Sequence, residues 1–279
     1  MSTEIPATVS AATVTSWSDE VDVLVIGFGI GGGCAAVSAA AAGARVLVLE
    51  RAAVAGGTTS LAGGHFYLGG GTAVQQATGH QDSPDEMYKY LVAVSREPDH
   101  AKIRAYCDGS VEHFNWLEDL GFQFERSYFP GKAVIQPNTE GLMFTGNEKV
   151  WPFLEKATPA PRGHKVPVPG DTGGASMVID LLLKRAANLG VQIRYETGAT
   201  ELVVDESGAV TGVTWKRFSE SGAPGRDQAN LRSHMLCRYP HIEAVFVFER
   251  RLDTYPATSG GRDHFGQPLT YEGAFRCQN

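Results

Sequence analysis

Five glycines stand within nine residues at Val25–Gly33, directly after an apolar run. That run, Val21–Ile26, is rich in β-branched residues, which predicts a strand buried on both faces of a parallel sheet. A helix of small residues follows from Cys34 to Gly43, and a second apolar run, Arg45–Leu49, predicts the next strand. A strand, a glycine-rich turn, a helix and a second strand form the unit that binds a dinucleotide.

The glycines match the spacing G-x-G-x-x-G at Gly27, Gly29 and Gly32. The first permits a tight turn, the second lets the backbone approach a pyrophosphate, and the third lets the helix pack closely. Gly31 belongs to the same loop and is assigned to the site with them. Glu50 ends the second strand, 18 positions after Gly32, where an acid binds a ribose hydroxyl and disfavours the 2′-phosphate of NADP.

A second glycine-rich loop follows where a domain that binds only NAD would continue to a third strand. Hydroxyl groups in this loop can donate to a pyrophosphate, and its glycines would let the backbone lie against a flat ring. The residues assigned to the site from this region are Arg51, Gly57, Thr58, Thr59, Ser60, Gly63 and Gly64.

The first loop, Glu50 and the stretch GGTTSLAGGHFYLGGG at Gly56–Gly71 resemble the fumarate reductase/succinate dehydrogenase flavoprotein family, in its 3-ketosteroid Δ1-dehydrogenase-like branch. In that family the second loop runs along the FAD diphosphate and ends beside the flavin. Some relatives attach FAD covalently through a histidine, and Gly57 stands at that place here, so the resemblance implies non-covalent FAD. His65 is interpreted as a loop histidine without a chemical role.

The middle of the chain begins with helices. Ser83 and Glu86 form a capping-box pattern that predicts a helix to about Ser95, and Asp99 predicts the cap of a second helix that ends at Gly121. The irregular stretch 122–170 resembles the family's variable insert. The ketosteroid enzymes carry a tyrosine soon after a Phe-Pro pair there.

Few residues of this insert receive a role. Tyr128 precedes the local Phe-Pro pair and is not assigned that of the ketosteroid tyrosine. Arg162 and His164 fit a substrate loop or a solvated loop equally well.

The last part of the resemblance follows a helix that ends at Gly190. Val191–Glu196 predicts a third parallel strand, and Ala199–Val204 with Ala209–Trp215 predicts a hairpin. In the family a small residue at the place of Ala199 presents its backbone to the adenine. The resemblance implies an α/β fold: a Rossmann-like, three-layer FAD-binding domain of the glutathione-reductase type at 21–216.

The two ends differ from this domain. Residues 1–20 are rich in Ser, Thr and Ala and are interpreted as a flexible leader. Residues 217–279 contain eight arginines and no lysine, whereas residues 1–216 contain eight of each. The family's A-x-G-G strand and substrate domain have no counterpart there. We therefore expect an atypical, poorly packed tail and an incomplete domain. The alternatives are a truncated or frame-disrupted gene after about residue 216 and a divergent ending of a short relative.

Composition and charge argue against several functional classes of protein. The net charge of −7 argues against nucleic acid as a partner, and no apolar window approaches the roughly 18 residues of a membrane span. The start of the chain lacks the features of a secretory signal. Four scattered cysteines predict free thiols, a cytoplasmic location and no metal site, and the sequence leaves the oligomeric state undetermined.

The sequence thus favours an FAD-dependent oxidoreductase that acts on a C–C bond next to a carbonyl, in a steroid- or fumarate-like small molecule. A partial FAD-binding domain without catalytic activity is the alternative, and the second loop argues against an NAD-binding module. No catalytic residue is assigned.

Overall fold

The computed structural model describes residues 7–218 in full and, after them, the backbone of strands at 224–233, 236–239, 242–246, 261–262 and 268–269. The chain divides into two compact units. The first consists of Met1–Gly57 and Leu182–Asn279, and the second is Thr58–Leu181.

The described part of the chain contains both strands and helices, as expected of a mixed α/β FAD-binding domain. The strands are β1 (Thr8–Ser10), β2 (Asp19–Val21), β3 (Val23–Ile26), β4 (Val46–Leu49), β5 (His65–Tyr67), β6 (Tyr128–Phe129), β7 (Leu142–Met143), β8 (Gly163–Lys165), β9 (Gln192–Arg194), β10 (Thr197–Val204), β11 (Val210–Phe218), β12 (Pro224–Ser233), β13 (Leu236–Tyr239), β14 (Ile242–Phe246), β15 (Gly261–Arg262) and β16 (Pro268–Leu269). The helices are α1 (Ile30–Ala41), α2 (Ala73–Ala77), α3 (Pro84–Val94), α4 (His100–Asp108), α5 (Ser110–Asp119) and α6 (Ser176–Asn188).

A five-stranded sheet in the first unit has the order β14-β13-β3-β4-β9. In this sheet β4 pairs in parallel with β3 on one side and with β9 on the other, which confirms the predicted parallel arrangement of these three runs. All four residues of β4 are buried, as a strand covered on both faces requires. The observed strands are shorter than the predicted runs, and Val21 belongs to β2 in another sheet.

A second five-stranded sheet in this unit has the order β1-β10-β11-β12-β2. The antiparallel pair β10 and β11 confirms the predicted hairpin. Asp205 closes its turn by accepting hydrogen bonds from the backbone of Ser207 and Ala209 at 2.8 and 3.0 Å. Side chains of both sheets meet in one core, where Leu24, Leu47 and Val213 are almost completely inaccessible to solvent.

Two segments outside the predicted domain join this second sheet. They correct two predictions, a flexible leader before the domain and no strand directly after the hairpin. The stretch interpreted as a flexible leader contains β1, which pairs with β10, and β2, which pairs with β12. The polar residues after the turn form β12, which is antiparallel to β11, although no strand is predicted there. An apolar run predicts a strand that is buried on both faces. A strand that is held mainly by backbone hydrogen bonds to its neighbours can be polar, so no apolar run marks it in the sequence. Of the rest of the tail, the structure describes β13 and β14, which extend the sheet of β3, and the pair β15 and β16. The other residues of 219–279 lie outside the described residues, so poor packing of the tail stays a prediction.

The second unit contains a four-stranded sheet of order β5-β8-β7-β6 together with helices. Ser83 caps α3 as predicted, with its hydroxyl accepting from the backbone N–H of Glu86 at 3.2 Å. Asp99 caps α4 in the same way, but one predicted helix is two, because Gly109 separates α4 from α5. Among the described residues, no helix combines the length and apolar character that a bilayer span needs.

Candidate cofactor site

The first glycine loop joins β3 to α1 through a turn that only glycine adopts readily. Gly27 has φ +88°, and its N–H donates to the carbonyl oxygen of Leu49 at 2.8 Å, which fixes the turn against β4. A Cβ added at Gly32 would lie 2.0 Å from the carbonyl oxygen of Gly27, so the turn and the helix touch at their backbones. Gly32 therefore serves the close approach that the motif predicts.

The helix α1 begins at Ile30, earlier than predicted, and its N-cap is Gly29. No side chain caps this end, and Gly31 lies in the first turn. The first backbone N–H groups of a helix have no partner within the helix, and together with the helix dipole they favour a phosphate. The loop thus offers backbone N–H groups to a phosphate, and its glycines have no Cβ that would keep the phosphate away.

Glu50 connects this loop to the end of β4. One carboxylate oxygen accepts the N–H of Phe28 at 2.7 Å, and the other accepts the N–H of Ala52 at 2.8 Å. The residue is buried, with 7% of its surface exposed. Its carbonyl oxygen also accepts the N–H of Thr197 at 2.9 Å, which ties it to the start of β10. Two backbone N–H groups therefore orient the carboxylate, and each of its oxygens keeps capacity for a further donor.

Three further residues of the first unit are assigned to the site from the sequence: Arg51, Gly57 and Ala199. The guanidinium carbon of Arg51 lies 4.9 Å from the ring centroid of Phe218. Ala199 pairs with Trp215, directly before an irregularity in the register of β10 and β11. Gly57, at φ +48°, ends this part of the first unit and begins a short 3₁₀ helix, Gly57–Leu61.

In the second unit, Thr58 is exposed, whereas Thr59 and Ser60 are half-buried on the same 3₁₀ helix. The structure gives a different reason for the glycines that follow them. A Cβ at Gly63 would lie 2.7 Å from the carbonyl oxygen of Asp171, and one at Gly64 would lie 2.4 Å from Val166 Cγ2. The missing side chains thus make room for the protein's own chain, and the contact of this backbone with a flat ring stays a prediction.

Arg162 and His164 are buried, which excludes the interpretation that they lie in a solvated loop. Arg162 is completely buried and forms a bidentate ion pair with Asp82, at 2.7 and 2.9 Å. The same carboxylate accepts the backbone N–H of Gly70 at 2.9 Å. Arg162 Nη1 is buried without a hydrogen-bond partner among the described residues. Sequence reasoning missed Asp82, because the two partners are 80 residues apart and no local pattern joins them.

His164 is also completely buried, against the ring of Phe114 at 5.4 Å between centroids. Its Nδ1 lies 3.1 Å from the carbonyl oxygen of Arg162, which can only accept, so Nδ1 carries the proton. Nε2 then accepts from the hydroxyl of Thr72 at 2.8 Å. Burial lowers the pKa of His164 to about 4. His164 is therefore a neutral part of the core.

His65 and Tyr128 take no assigned role. His65 is exposed at the start of β5, opposite Lys165 of β8. Tyr128 packs its ring on His80, with 4.5 Å between centroids. No group of three or more potential metal ligands occurs in the part of the chain that the structure describes.

Sequence comparison gives one family match. The sequence model of a family described as FAD binding domain matches residues 22–234. The chain is 34% identical over 214 residues to a 3-oxo-5-alpha-steroid 4-dehydrogenase of Comamonas testosteroni, covering 74% of this chain and 39% of that protein. It is 26% identical over 210 residues to a fumarate reductase (cytochrome) of Shewanella frigidimarina, covering 74% and 31%.

Structure comparison agrees. The crystal structure of a 3-ketosteroid-delta4-(5alpha)-dehydrogenase from Rhodococcus jostii RHA1, in complex with 4-androstene-3,17-dione, superposes with a TM-score of 0.75 and 43% identity. The match covers 82% of this chain and 47% of that one. The open conformation of a flavocytochrome c3 fumarate reductase has a TM-score of 0.57 at 23% identity, which supports the fold alone. The chain thus spans less than half the length of these relatives.

Proposed function

The chain belongs to the family of FAD binding domains, with FAD as its cofactor, and from this premise we propose that it binds FAD non-covalently in an oxidoreductase. The ribose hydroxyl of the adenosine half binds to Glu50, and the diphosphate lies at the start of α1, beside Gly27, Gly29, Gly31 and Gly32. This part of the chain is Rossmann-like, because a strand, a glycine turn, a helix and a strand follow in order.

The observation that carries this proposal is the orientation of the Glu50 carboxylate. Two backbone N–H groups hold it at the end of β4 beside the loop that precedes α1. An ionised acceptor that is already oriented binds a hydroxyl strongly, because no side-chain freedom is lost on binding. The same charge opposes a 2′-phosphate, which supports FAD over NADP.

The second loop supplies further contacts in this proposal. Thr58, Thr59 and Ser60 donate hydroxyl hydrogen bonds to the diphosphate, and Gly63 and Gly64 continue the same wall. Arg51 and Ala199 contribute to the adenosine end. Gly57 stands where some relatives carry the histidine that attaches FAD, and glycine has no atom that can form that bond.

Bound FAD would supply hydride exchange with a substrate, and the role of the protein would be to bind and orient both. We propose a C–C bond next to a carbonyl as the reacting group of a small molecule. The support is that relatives at 34% and 26% identity bear the names of a 3-oxosteroid dehydrogenase and a fumarate reductase. A cytoplasmic location is proposed too, since Cys34 and Cys107 are free thiols.

The test uses the purified chain. We expect it to carry FAD at one equivalent, with flavin absorbance near 450 nm, roughly as for flavoproteins in general. Acid precipitation should release all of the flavin into the supernatant. Colourless protein that fails to take up added FAD would contradict the proposal, and flavin that stays with the precipitate would contradict non-covalent binding.

A flavin-binding domain without turnover is the second candidate. The chain spans 39% of the length of the Comamonas relative and 47% of that of the Rhodococcus one, so turnover has to be measured on this chain itself. Steady-state assays with a 3-oxosteroid and with fumarate, using the FAD-loaded chain and an artificial electron carrier, distinguish the two. Turnover above that of free FAD favours the enzyme, and its absence in loaded protein favours the binding domain.

A further inference from the structure

We propose that the guanidinium of Arg51, supported by the ring of Phe218, is the platform on which the adenine ring of FAD stacks. This inference rests on the proposed function, because it takes the ribose of FAD to bind at Glu50. The guanidinium carbon lies over the Phe218 ring, 4.9 Å from its centroid. That distance is within the range of a cation–π interaction.

The position of the Phe218 ring depends on a glycine. Phe218 ends β11, and its N–H donates to the carbonyl oxygen of Glu196 at 2.6 Å. A Cβ at Gly198 would lie 2.9 Å from Phe218 Cε2 and 3.8 Å from Arg51 Cγ. The bare backbone of Gly198 therefore leaves the space in which the ring and the arginine side chain meet. The contact is built by two strands and is more than a chance surface encounter.

Arg51 directly follows the residue that would bind the ribose of the proposed FAD. In adenosine the base is bonded to the ribose carbon next to the one that bears the 2′-hydroxyl. Glu50, which takes that hydroxyl in our proposal, directly precedes Arg51, so their Cα atoms are about 3.8 Å apart. A base attached to a ribose at Glu50 therefore lies within reach of the neighbouring side chain.

The chemistry of arginine suits this role. A guanidinium is planar and stacks on π systems, whereas a lysine ammonium is a strongly hydrated point charge. Arg51 is exposed, and none of the ion pairs found among the described residues involves it. Its face opposite Phe218 is thus available to a second flat ring. An aromatic ring, a guanidinium and a base would form three layers.

The test compares Arg51→Ala and Arg51→Lys with the wild type, using FAD and the fluorescent etheno-ADP as probes. Loss of one cation–π stack weakens binding of both probes by roughly five- to tenfold. Arg51→Lys keeps the charge and should recover less than half of that loss on a logarithmic scale. Iodide should quench bound etheno-ADP more strongly in both variants, because the base is no longer covered.

Lys216→Met is the matched control, because Lys216 is a second cation near the same ring, with its Nζ 5.5 Å from the centroid. This substitution should change the affinities for both probes less than twofold.

The outcomes separate this inference from the proposed function. Wild-type affinity and quenching in Arg51→Lys would overturn the stack, because charge alone would then suffice. An equal loss in Lys216→Met would also overturn it. If the wild-type chain binds neither FAD nor etheno-ADP, both the proposed function and this inference fail. If FAD binds normally to Arg51→Ala, only this inference fails.

Discussion

The carboxylate of Glu50 accepts the backbone N–H of Phe28, with 2.7 Å between Oε2 and the nitrogen, although 22 residues separate the two in sequence. Phe28 is the residue between the first two glycines of the loop. The contact therefore orients the acid and fixes the loop at once. With the second bond, from Ala52 N–H to Oε1, it fixes both carboxylate oxygens, so this side of the site is preorganised for a ribose beside a diphosphate.

A substitution at Gly64 tests whether this glycine serves packing. Gly64→Ala places a methyl group 2.4 Å from Val166 Cγ2 at a residue with φ +74°. We expect a loss of about 1–3 kcal/mol in the free energy of unfolding, measured with denaturant in the absence of FAD. Adding Val166→Ala should not remove the backbone strain, but it should relieve the clash. Unchanged stability of the FAD-free single variant would show that the glycine is not needed for packing.

Breaking the buried ion pair between Asp82 and Arg162 should cost far more stability than breaking a surface pair. Asp82→Ala leaves a guanidinium charge buried without its partner, and we expect a loss of about 3–5 kcal/mol in unfolding free energy. Asp85→Ala is the matched control, because Asp85 is 80% exposed in its pair with Arg104, and its loss should stay below about 1 kcal/mol. Similar losses in the two variants would contradict the buried pair.

The neutral state of His164 predicts a loss of stability in acid. Its pKa falls from 6.5 to about 4 on folding, because burial disfavours the charged ring. The unfolded chain therefore binds a proton first as the pH falls. The stabilisation, about 3 kcal/mol, is complete above pH 6.5 and is lost progressively between about pH 6.5 and pH 4.

The measurement compares unfolding free energies of the wild type and His164→Asn across this range. The difference between the two should shrink as the pH falls from 7 to 4, because the variant lacks the titrating ring. A difference that stays constant with pH would show that His164 is not held neutral.

Local patterns explain which parts of this fold the sequence predicts. Turn, helix and strand around Gly27 are adjacent in the chain, so glycine spacing and apolar runs are sufficient. Ser83 and Asp99 signal helix caps by the same local logic. The approximate register of the β10–β11 hairpin follows from its short turn at Asp205.

Other features depend on residues far apart in sequence. The ion pair of Asp82 with Arg162 joins positions 80 residues apart, and β2 pairs with the polar strand β12.

One local feature was also missed: Thr72 caps α2 in a reciprocal capping box with Gln75. That capping pattern stands in the sequence beside the glycines and could have been found there. The packing role of Gly64 appears only when Val166 is brought against it.

The most direct test of the account is a titration of the flavin-free chain with FAD, comparing the wild type, Glu50→Ala and Glu206→Ala. Glu206 is an exposed acid in the hairpin turn and serves as the control. Loss of a charge-assisted hydrogen bond should weaken FAD binding by roughly 10- to 100-fold in Glu50→Ala. Thermal unfolding without FAD separates this effect from the loss of the bonds to Phe28 and Ala52. The account predicts weaker binding in folded Glu50→Ala and wild-type binding in Glu206→Ala. Wild-type FAD affinity in Glu50→Ala would contradict it.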